Sequence, residues 1–150
     1  MIGIRFKIPN NFNNYLHEIL KNIKSEGYLW SIEEDEVLTK ESSEFFNQNL
    51  YNDSMFKEII KNKSYIIFVN IQLIKDDSKK EYQINNYDDF LKSNCELILF
   101  ITDSEFVDIY SKNENYIKTI NQNAIVNDFQ EIKILYKNDI IRDEFSAFTD

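Results

Sequence analysis

Residues 95–110 read CELILFITDSEFVDIY, and their pattern indicates the class of fold. Residues 95–102 are almost continuously apolar, as expected for a strand that is covered on both faces. Residues 105–110 alternate between polar and apolar side chains, as a half-buried strand does. Asp103 and Ser104, which lie between them, are typical residues of a tight turn. The stretch therefore predicts two paired strands joined by a short turn.

Three other segments have the pattern of strands. Residues 65–75 begin with a nearly uninterrupted apolar run, so we place this strand at the centre of the sheet and expect Phe68 and Leu99 to be deeply buried. Residues 2–8 alternate between apolar and polar side chains, which indicates a half-buried strand. Residues 129–136 are predicted to form the last strand.

An acidic run, Glu33-Glu34-Asp35-Glu36, lies between two short segments with strand character. Residues 28–32 and 37–39 are predicted to be the arms of a hairpin, with the four acids in its turn. A run of like charges is usually solvated, as it would be in an exposed turn. Residues 40–53 are mainly polar, and we expect a loop with a helical turn there.

Helical spacing is clearest in residues 11–25, where large apolar side chains recur at i, i+3, i+4, i+7, i+8 and i+11. Gly27 stands where a glycine often ends a helix. Three further helices are predicted, at residues 54–62, 86–91 and 114–126.

The predicted order of elements is β-α-β-β-α-β-α-β-β-α-β. Because hairpins are mixed with helical crossovers, we predict an α+β fold with a mixed or mainly antiparallel sheet and helices packed against it. A length of 150 residues is that of one ordinary domain, so we expect residues 1–150 to form a single globular domain.

The net charge of the chain argues against some classes of binding partner and favours others. There are 17 Lys and Arg against 26 Asp and Glu, which gives a net charge of −9. Nucleic-acid binding depends on cationic groups that neutralise phosphates, and the sequence shows no basic cluster, so we expect no binding to DNA or RNA. No apolar run approaches the ~20 residues of a membrane-spanning helix, so we expect no membrane partner. Net negative charge instead favours solubility or attraction to a basic partner.

Two features bear on the cellular compartment. Cys95 is the only cysteine, which excludes an intramolecular disulfide and fits a reducing environment. Residues 1–5 alternate like a strand and lack the basic and apolar regions of a signal peptide. We therefore expect a cytoplasmic protein.

The residue types that cofactor and catalytic chemistry needs are scarce. One histidine, His17, and one cysteine do not make a zinc site, so no metal is expected. No glycine-rich phosphate loop occurs, so no nucleotide cofactor is expected either. His17 lies on the polar face of its predicted helix and Cys95 begins an apolar strand, so we interpret them as a surface and a core residue. No catalytic residue is assigned, and we favour a protein that is not an enzyme.

Seven residues remain as interaction candidates: Glu33, Glu34, Asp35, Glu36, Asp103, Phe145 and Phe148. Asp103 follows a buried strand, a place where functional residues often gather, although a turn aspartate commonly bonds to its own backbone. Within residues 138–150, Ile141, Phe145 and Phe148 are spaced i, i+4, i+7, as on one helical stripe. We expect this C-terminal segment to dock on its own domain or on a neighbouring subunit, because exposed large apolar residues promote association.

Several segments resemble one known family. They are residues 3–10, 18–20, Trp30, residues 56–60, 65–68, 87–91 and 95–97. The similarity spans most of the chain and is weakest in residues 40–53 and the C-terminal segment. The chain resembles an uncharacterised bacterial family, domain of unknown function 2691, which occurs mainly in Bacillus-like Gram-positive bacteria. That family has no established activity, so the resemblance implies a stand-alone bacterial cytoplasmic protein and assigns no site residues.

Two classes of function stay open. The first is a small acidic, non-enzymatic module that binds another protein, or itself, through an acidic surface with aromatic residues. An immunity- or antitoxin-like inhibitor of a basic toxin is a concrete form of it. The second is a small enzyme or ligand-binding domain with a carboxylate or tyrosine site. A pocket lined by Asp103 or Tyr110, together with a shifted carboxylate pKa, would support the second class.

Overall fold

The structure, a computed structural model, describes residues 1–76 and 83–139. Its strands are β1 (Gly3–Lys7), β2 (Leu29–Leu38), β3 (Leu50–Asn52), β4 (Tyr65–Ile74), β5 (Cys95–Thr102), β6 (Phe106–Ser111) and β7 (Gln130–Leu135). Its helices are α1 (Tyr15–Leu20), α2 (Asp53–Ile59), α3 (Tyr87–Lys92) and α4 (Glu114–Val126). A single turn of 3-10 helix, Lys137–Asp139, follows β7.

The strands form one sheet in the order β3-β2-β4-β5-β6-β1-β7, and every neighbouring pair is antiparallel. This confirms the α+β class and shows that the described sheet is antiparallel rather than mixed. The β5–β6 hairpin lies near its centre, with Leu99 opposite Ile109. The turn of this hairpin has positive φ angles at Asp103 and Ser104, 51° and 65°, which match the twist of a tight hairpin.

Helices α1, α2 and α4 pack on one face of the sheet, which we call the helix face. Trp30, Phe56 and Leu99 point into this layer and are fully buried. The rings of Trp30 and Phe56 stack with their centroids 4.3 Å apart. Burial of apolar surface of this kind is the main stabilising contribution to the fold.

The opposite face carries a smaller apolar cluster beside α3. Phe90 of α3 packs there with Cys95, Ile98 and Tyr110 of the central strands. Phe68, expected at the centre of the core, is only half-buried. The physical reason is that the apolar run of β4 begins before the point where β5 starts to pair with it. None of the described helices has the length and apolar character needed to cross a bilayer.

The first helix is shorter than its apolar spacing predicts. Asn13 pairs with Ser64 in an isolated bridge just before α1, and Asn22 has a φ of 70° just after it. Ile23 still reaches the core, but from irregular backbone. Gly27 has a φ of 88° and lies in the turn before β2 instead of ending the helix. The apolar spacing therefore predicted correctly which side chains are buried, but the helix that it predicted is longer than α1.

The predicted hairpin around the acidic run is wrong. β2 continues through residues 33–36 because β4 is ten residues long and pairs with it along its whole length. Irregularities in the register between Ile32 and Glu34, and between Glu36 and Val37, adjust the two strands to each other. The third strand is instead β3, within the stretch expected to be a loop. The order of elements was thus predicted correctly with one strand misplaced.

Candidate functional site

The second half of β2 and the first part of β4 form a two-stranded extension of the sheet. We call it the acidic ribbon and define it as residues 33–38 and 65–68. β3 pairs only with Leu29–Ser31 of β2, and β5 pairs with β4 only from Val69 onward. Within the described residues, the outer edge of 33–38 therefore has no strand partner. Backbone groups on such an edge are available to another chain.

All four acidic side chains of the ribbon are exposed. The register places Glu34 and Glu36 on the face opposite the helices and Asp35 on the helix face. Partial burial and the charge of Glu44 raise the pKa of Asp35. The Ser31 hydroxyl donates a hydrogen bond to the Glu33 carboxylate. The run thus presents carboxylates on both faces of one strand.

A buried amide lies beside these acids. Asn70, across from Glu34, is 3% exposed, and its Oδ1 accepts no hydrogen bond. Carboxylates beside an amide oxygen are ligand types that Ca²⁺ and Mg²⁺ prefer. However, no group of three or more His, Cys, Asp or Glu is arranged to hold a metal ion within residues 1–76 and 83–139. Successive side chains of a strand point to opposite faces, which keeps most of the ribbon acids apart.

Asp103 lies near the base of the ribbon, in the exposed turn between β5 and β6. The backbone N–H of Ser104 donates to the carbonyl of Ile67 at 3.1 Å and ties this turn to β4. The fold therefore brings Asp103 to the same end of the sheet as the ribbon acids. The other two predicted site residues, Phe145 and Phe148, lie outside the described residues.

The groups considered for catalysis lie in separate environments. Cys95 is buried, as predicted: its Sγ donates to the Leu97 carbonyl at 3.0 Å, and burial raises its pKa. Burial, and then the charge of Asp108, raise the pKa of Tyr110 to about 12, so its phenol is neutral at ordinary pH. His17 is half-buried on α1. These positions do not form a nucleophile–base pair.

A cleft between the C-terminal ends of α1 and α2 was missed by the sequence analysis. It has a volume of about 410 Å³ and is lined by His17 and four lysines, Lys21, Lys24, Lys57 and Lys61. The sequence does carry a signal, because the first three of these basic residues are spaced i, i+4, i+7 and the last two i, i+4. Only the packing of the two helices brings these side chains together, and the pattern of each helix alone does not show it.

Comparison with known proteins places the chain in a family. A family model described as "Protein of unknown function (DUF2691)" matches residues 1–146. A protein of Bacillus subtilis (strain 168), described as "Uncharacterized protein YncE", is 32% identical over 140 residues, which cover 89% of this chain and 90% of that protein. No solved structure gives a significant match. The similarity covers β1 through β7 and confirms the resemblance seen in the sequence: the chain belongs to the DUF2691 family.

Proposed function

We propose that this protein is a small non-enzymatic binding module that holds a basic segment of another protein against the acidic ribbon. The observation that carries the proposal is the strand edge at residues 33–38, which has no described strand partner and displays four exposed carboxylates. An exposed sheet edge can take up a further strand through backbone hydrogen bonds, while side chains supply the specificity. A strand rich in Lys or Arg would meet opposite charge on this edge.

The same charge argues against self-association through the ribbon. Two copies placed edge to edge would set carboxylates against carboxylates, and like charges opposite each other destabilise a sheet. Charged side chains also protect strand edges from aggregation. If the acids only protect the edge from aggregation, they need only repel other copies of the chain. If they bind a partner, a basic protein must exist whose affinity depends on them. The two roles therefore predict different results in a binding experiment.

An immunity- or antitoxin-like inhibitor is a concrete form of such a module. Its basic target would be attracted by the net charge of −9 and would associate at a rate that falls with added salt. The single, buried cysteine suits a reducing compartment, so we propose that the interaction takes place in the cytoplasm. The alternative, an enzyme or ligand site at Asp103 or Tyr110, has less support, because the first lies in an exposed turn and the second is a buried neutral phenol.

Affinity capture with matched variants tests the proposal. The ribbon variant carries Glu33→Gln, Glu34→Gln, Asp35→Asn and Glu36→Gln. The control variant neutralises four exposed acids elsewhere: Asp88→Asn, Glu114→Gln, Asp128→Asn and Glu131→Gln. Both variants change the net charge equally. We expect wild type and control, but not the ribbon variant, to retain a basic protein from a lysate of a Bacillus that encodes a family member. Recovery of the same proteins by all three would contradict the proposal.

A defined probe gives a second test. A synthetic strand-forming peptide of alternating Lys and Val is titrated into labelled protein and followed by NMR, with an alternating Glu and Val peptide as the control. We expect the Lys peptide to shift the backbone amide signals of residues 33–38 and the Glu peptide to leave them unchanged. Equal shifts with both peptides, or shifts confined to other parts of the sheet, would refute a basic partner at this edge.

A further inference from the structure

The cleft between α1 and α2 combines an apolar floor with a cationic rim. The floor is formed by Leu20, Ile23 and Ile60, each 2% exposed. The rim is formed by four of the 15 lysines and the only histidine of the chain, whereas Glu26 is the one acid among the lining residues described. Such a cluster of basic side chains is unexpected on a protein with a net charge of −9.

The ends of the helices explain only part of this rim, because Lys57 lies in the last turn of α2 and donates to a carbonyl just after α1. Basic side chains often sit at helix C-termini, where they satisfy free carbonyls and the helix dipole. Here, Asn123 Nδ2 donates to the carbonyls of Ile19 and Lys21 at 2.9 and 2.8 Å, and the Tyr116 hydroxyl donates to that of Lys24 at 2.8 Å. Neutral groups of α4 therefore satisfy these three carbonyls, and neither Lys21 nor Lys24 is needed to do so.

The four ammonium groups of the rim differ in how firmly they are held. Lys57 is held in place, because its Nζ lies 3.0 Å from Asp53 Oδ2 and donates to the Ile23 carbonyl at 2.8 Å. Lys21 and Lys61 pair with carboxylates one turn earlier, at 2.8 and 3.1 Å. The Lys61–Glu58 pair is largely exposed and contributes little to stability, whereas the Lys21 and Glu18 side chains are only 32% and 24% exposed. Lys24 is exposed and forms no ion pair with any residue in the described ranges.

We propose that this cleft binds a small organic anion. The apolar part of the ligand packs on Leu20, Ile23 and Ile60, and its phosphate or carboxylate group faces Lys21, Lys24 and Lys61. A volume of about 410 Å³ falls within the range of small-molecule sites, roughly 300–1,000 Å³. Hydrogen bonds from ammonium groups to an anionic oxygen are about twice as strong as neutral ones, and a partly enclosed cleft strengthens them further.

Titration with four simple probes tests this site in the full-length protein. Phenyl phosphate and benzoate carry both an apolar body and an anionic group, inorganic phosphate lacks the apolar body, and benzyl alcohol lacks the charge. Binding is followed by NMR on the methyl signals of Leu20, Ile23 and Ile60. We expect phenyl phosphate or benzoate to bind more tightly than both inorganic phosphate and benzyl alcohol, and the preferred one identifies the anionic group.

Matched variants locate the binding. Lys24→Gln with Lys61→Gln removes two rim charges, and Lys92→Gln with Lys118→Gln removes two exposed lysines elsewhere. We expect the first pair to weaken binding of the preferred probe at least about tenfold, which corresponds to about 1.4 kcal/mol, and the second pair to leave it unchanged. Equal affinity of the rim variant and the control, or probe-induced shifts outside the cleft alone, would overturn the proposal. So would equal affinity for phenyl phosphate, benzoate and inorganic phosphate, because the apolar floor would then have no role.

Discussion

Asp53 joins three parts of the chain, and its replacement by alanine should destabilise the fold strongly. The carboxylate is 8% exposed at the first position of α2. Its Oδ1 accepts hydrogen bonds from Ser25 Oγ at 2.5 Å and from Trp30 Nε1 at 2.9 Å, and its Oδ2 lies 3.0 Å from Lys57 Nζ. Asp53→Ala would leave the Ser25 and Trp30 donors buried without an acceptor.

The magnitude follows from those two donors. A buried donor that loses its acceptor costs about 1–3 kcal/mol, so the loss of the acceptor for two donors should lower the free energy of unfolding by about 2–6 kcal/mol. The ion pair adds less than a fully buried pair would, because the Lys57 side chain is 32% exposed. In a chain of this size each kcal/mol corresponds to about 2–4 °C in Tm, so a decrease of at least about 4 °C is expected.

The pH dependence separates the ionic contribution from the other contacts. Burial alone would raise the pKa of Asp53, but the hydrogen bonds from Ser25, Trp30 and Lys57 outweigh it and the pKa is lowered. A group whose folded pKa lies below its unfolded value, about 3.9, stabilises the fold above that pH and loses this effect as the pH falls through the folded pKa.

Urea denaturation of wild type, Asp53→Ala and Asp53→Asn between pH 3 and pH 7 provides the measurement. We expect the deficit of Asp53→Asn relative to wild type to be constant above about pH 5 and to shrink below about pH 4. A deficit of equal size at both ends of this range would refute the ionic role of Asp53. An unfolding midpoint of Asp53→Ala equal to that of wild type would refute the whole argument.

Three further predictions concern packing. A Cβ on Gly3 would lie 2.4 Å from the Ile109 carbonyl oxygen, so Gly3→Ala should cost about 1–3 kcal/mol; a wild-type midpoint in urea would contradict this. Cys95 is fully buried and its pKa is raised by that burial, so thiol reagents should modify it slowly in the native protein and rapidly after unfolding, and equal rates would show it to be accessible. Truncation after Asp139 should lower the Tm, because the apolar spacing of Ile141, Phe145 and Phe148 predicts a docked segment. If sedimentation also shows a smaller assembly, the segment belongs to an interface between subunits. If neither the Tm nor the sedimenting mass of the assembly changes, the segment is not docked.

The sequence predicts best those elements whose local signals agree with one another. The β5–β6 hairpin and α4 form where expected, because their apolar patterns, the turn at Asp103–Ser104 and the cap at Asn113 agree with one another. The strand character of residues 28–32 was also recognised. Its continuation through the acidic run depends on β4, which begins 27 residues after β2 ends, and no local pattern carries that information.

The candidate site was likewise predicted only in part, because the sequence shows which residues are charged but not how they are arranged in space. The sequence identified the acidic residues but placed them in a turn. On a strand edge, the backbone beside them can also form hydrogen bonds with another chain, which a turn does not offer. The lysine cleft arises where two helices meet, and each helix alone looks like an ordinary basic surface. Charge patterns therefore located the residues, and tertiary packing determined which of them act together.

The acids of the ribbon and the lysines of the cleft lie in different parts of the molecule, so the association rates of their ligands should depend differently on salt. At separations well beyond the Debye length, about 8 Å at physiological salt, an approaching ligand experiences mainly the net charge of −9. Added salt weakens that long-range field, so association of a basic peptide with the ribbon should slow as salt rises. Association of an organic anion with the cleft is opposed by the same field and assisted by lysines only at short range, so its rate should rise or stay level over the same salt series. Rates measured by stopped flow or NMR exchange between ~20 and ~300 mM salt test both cases. If both rates fall in parallel, the lysines of the cleft act as part of one uniform surface and the two proposed sites are not electrostatically distinct.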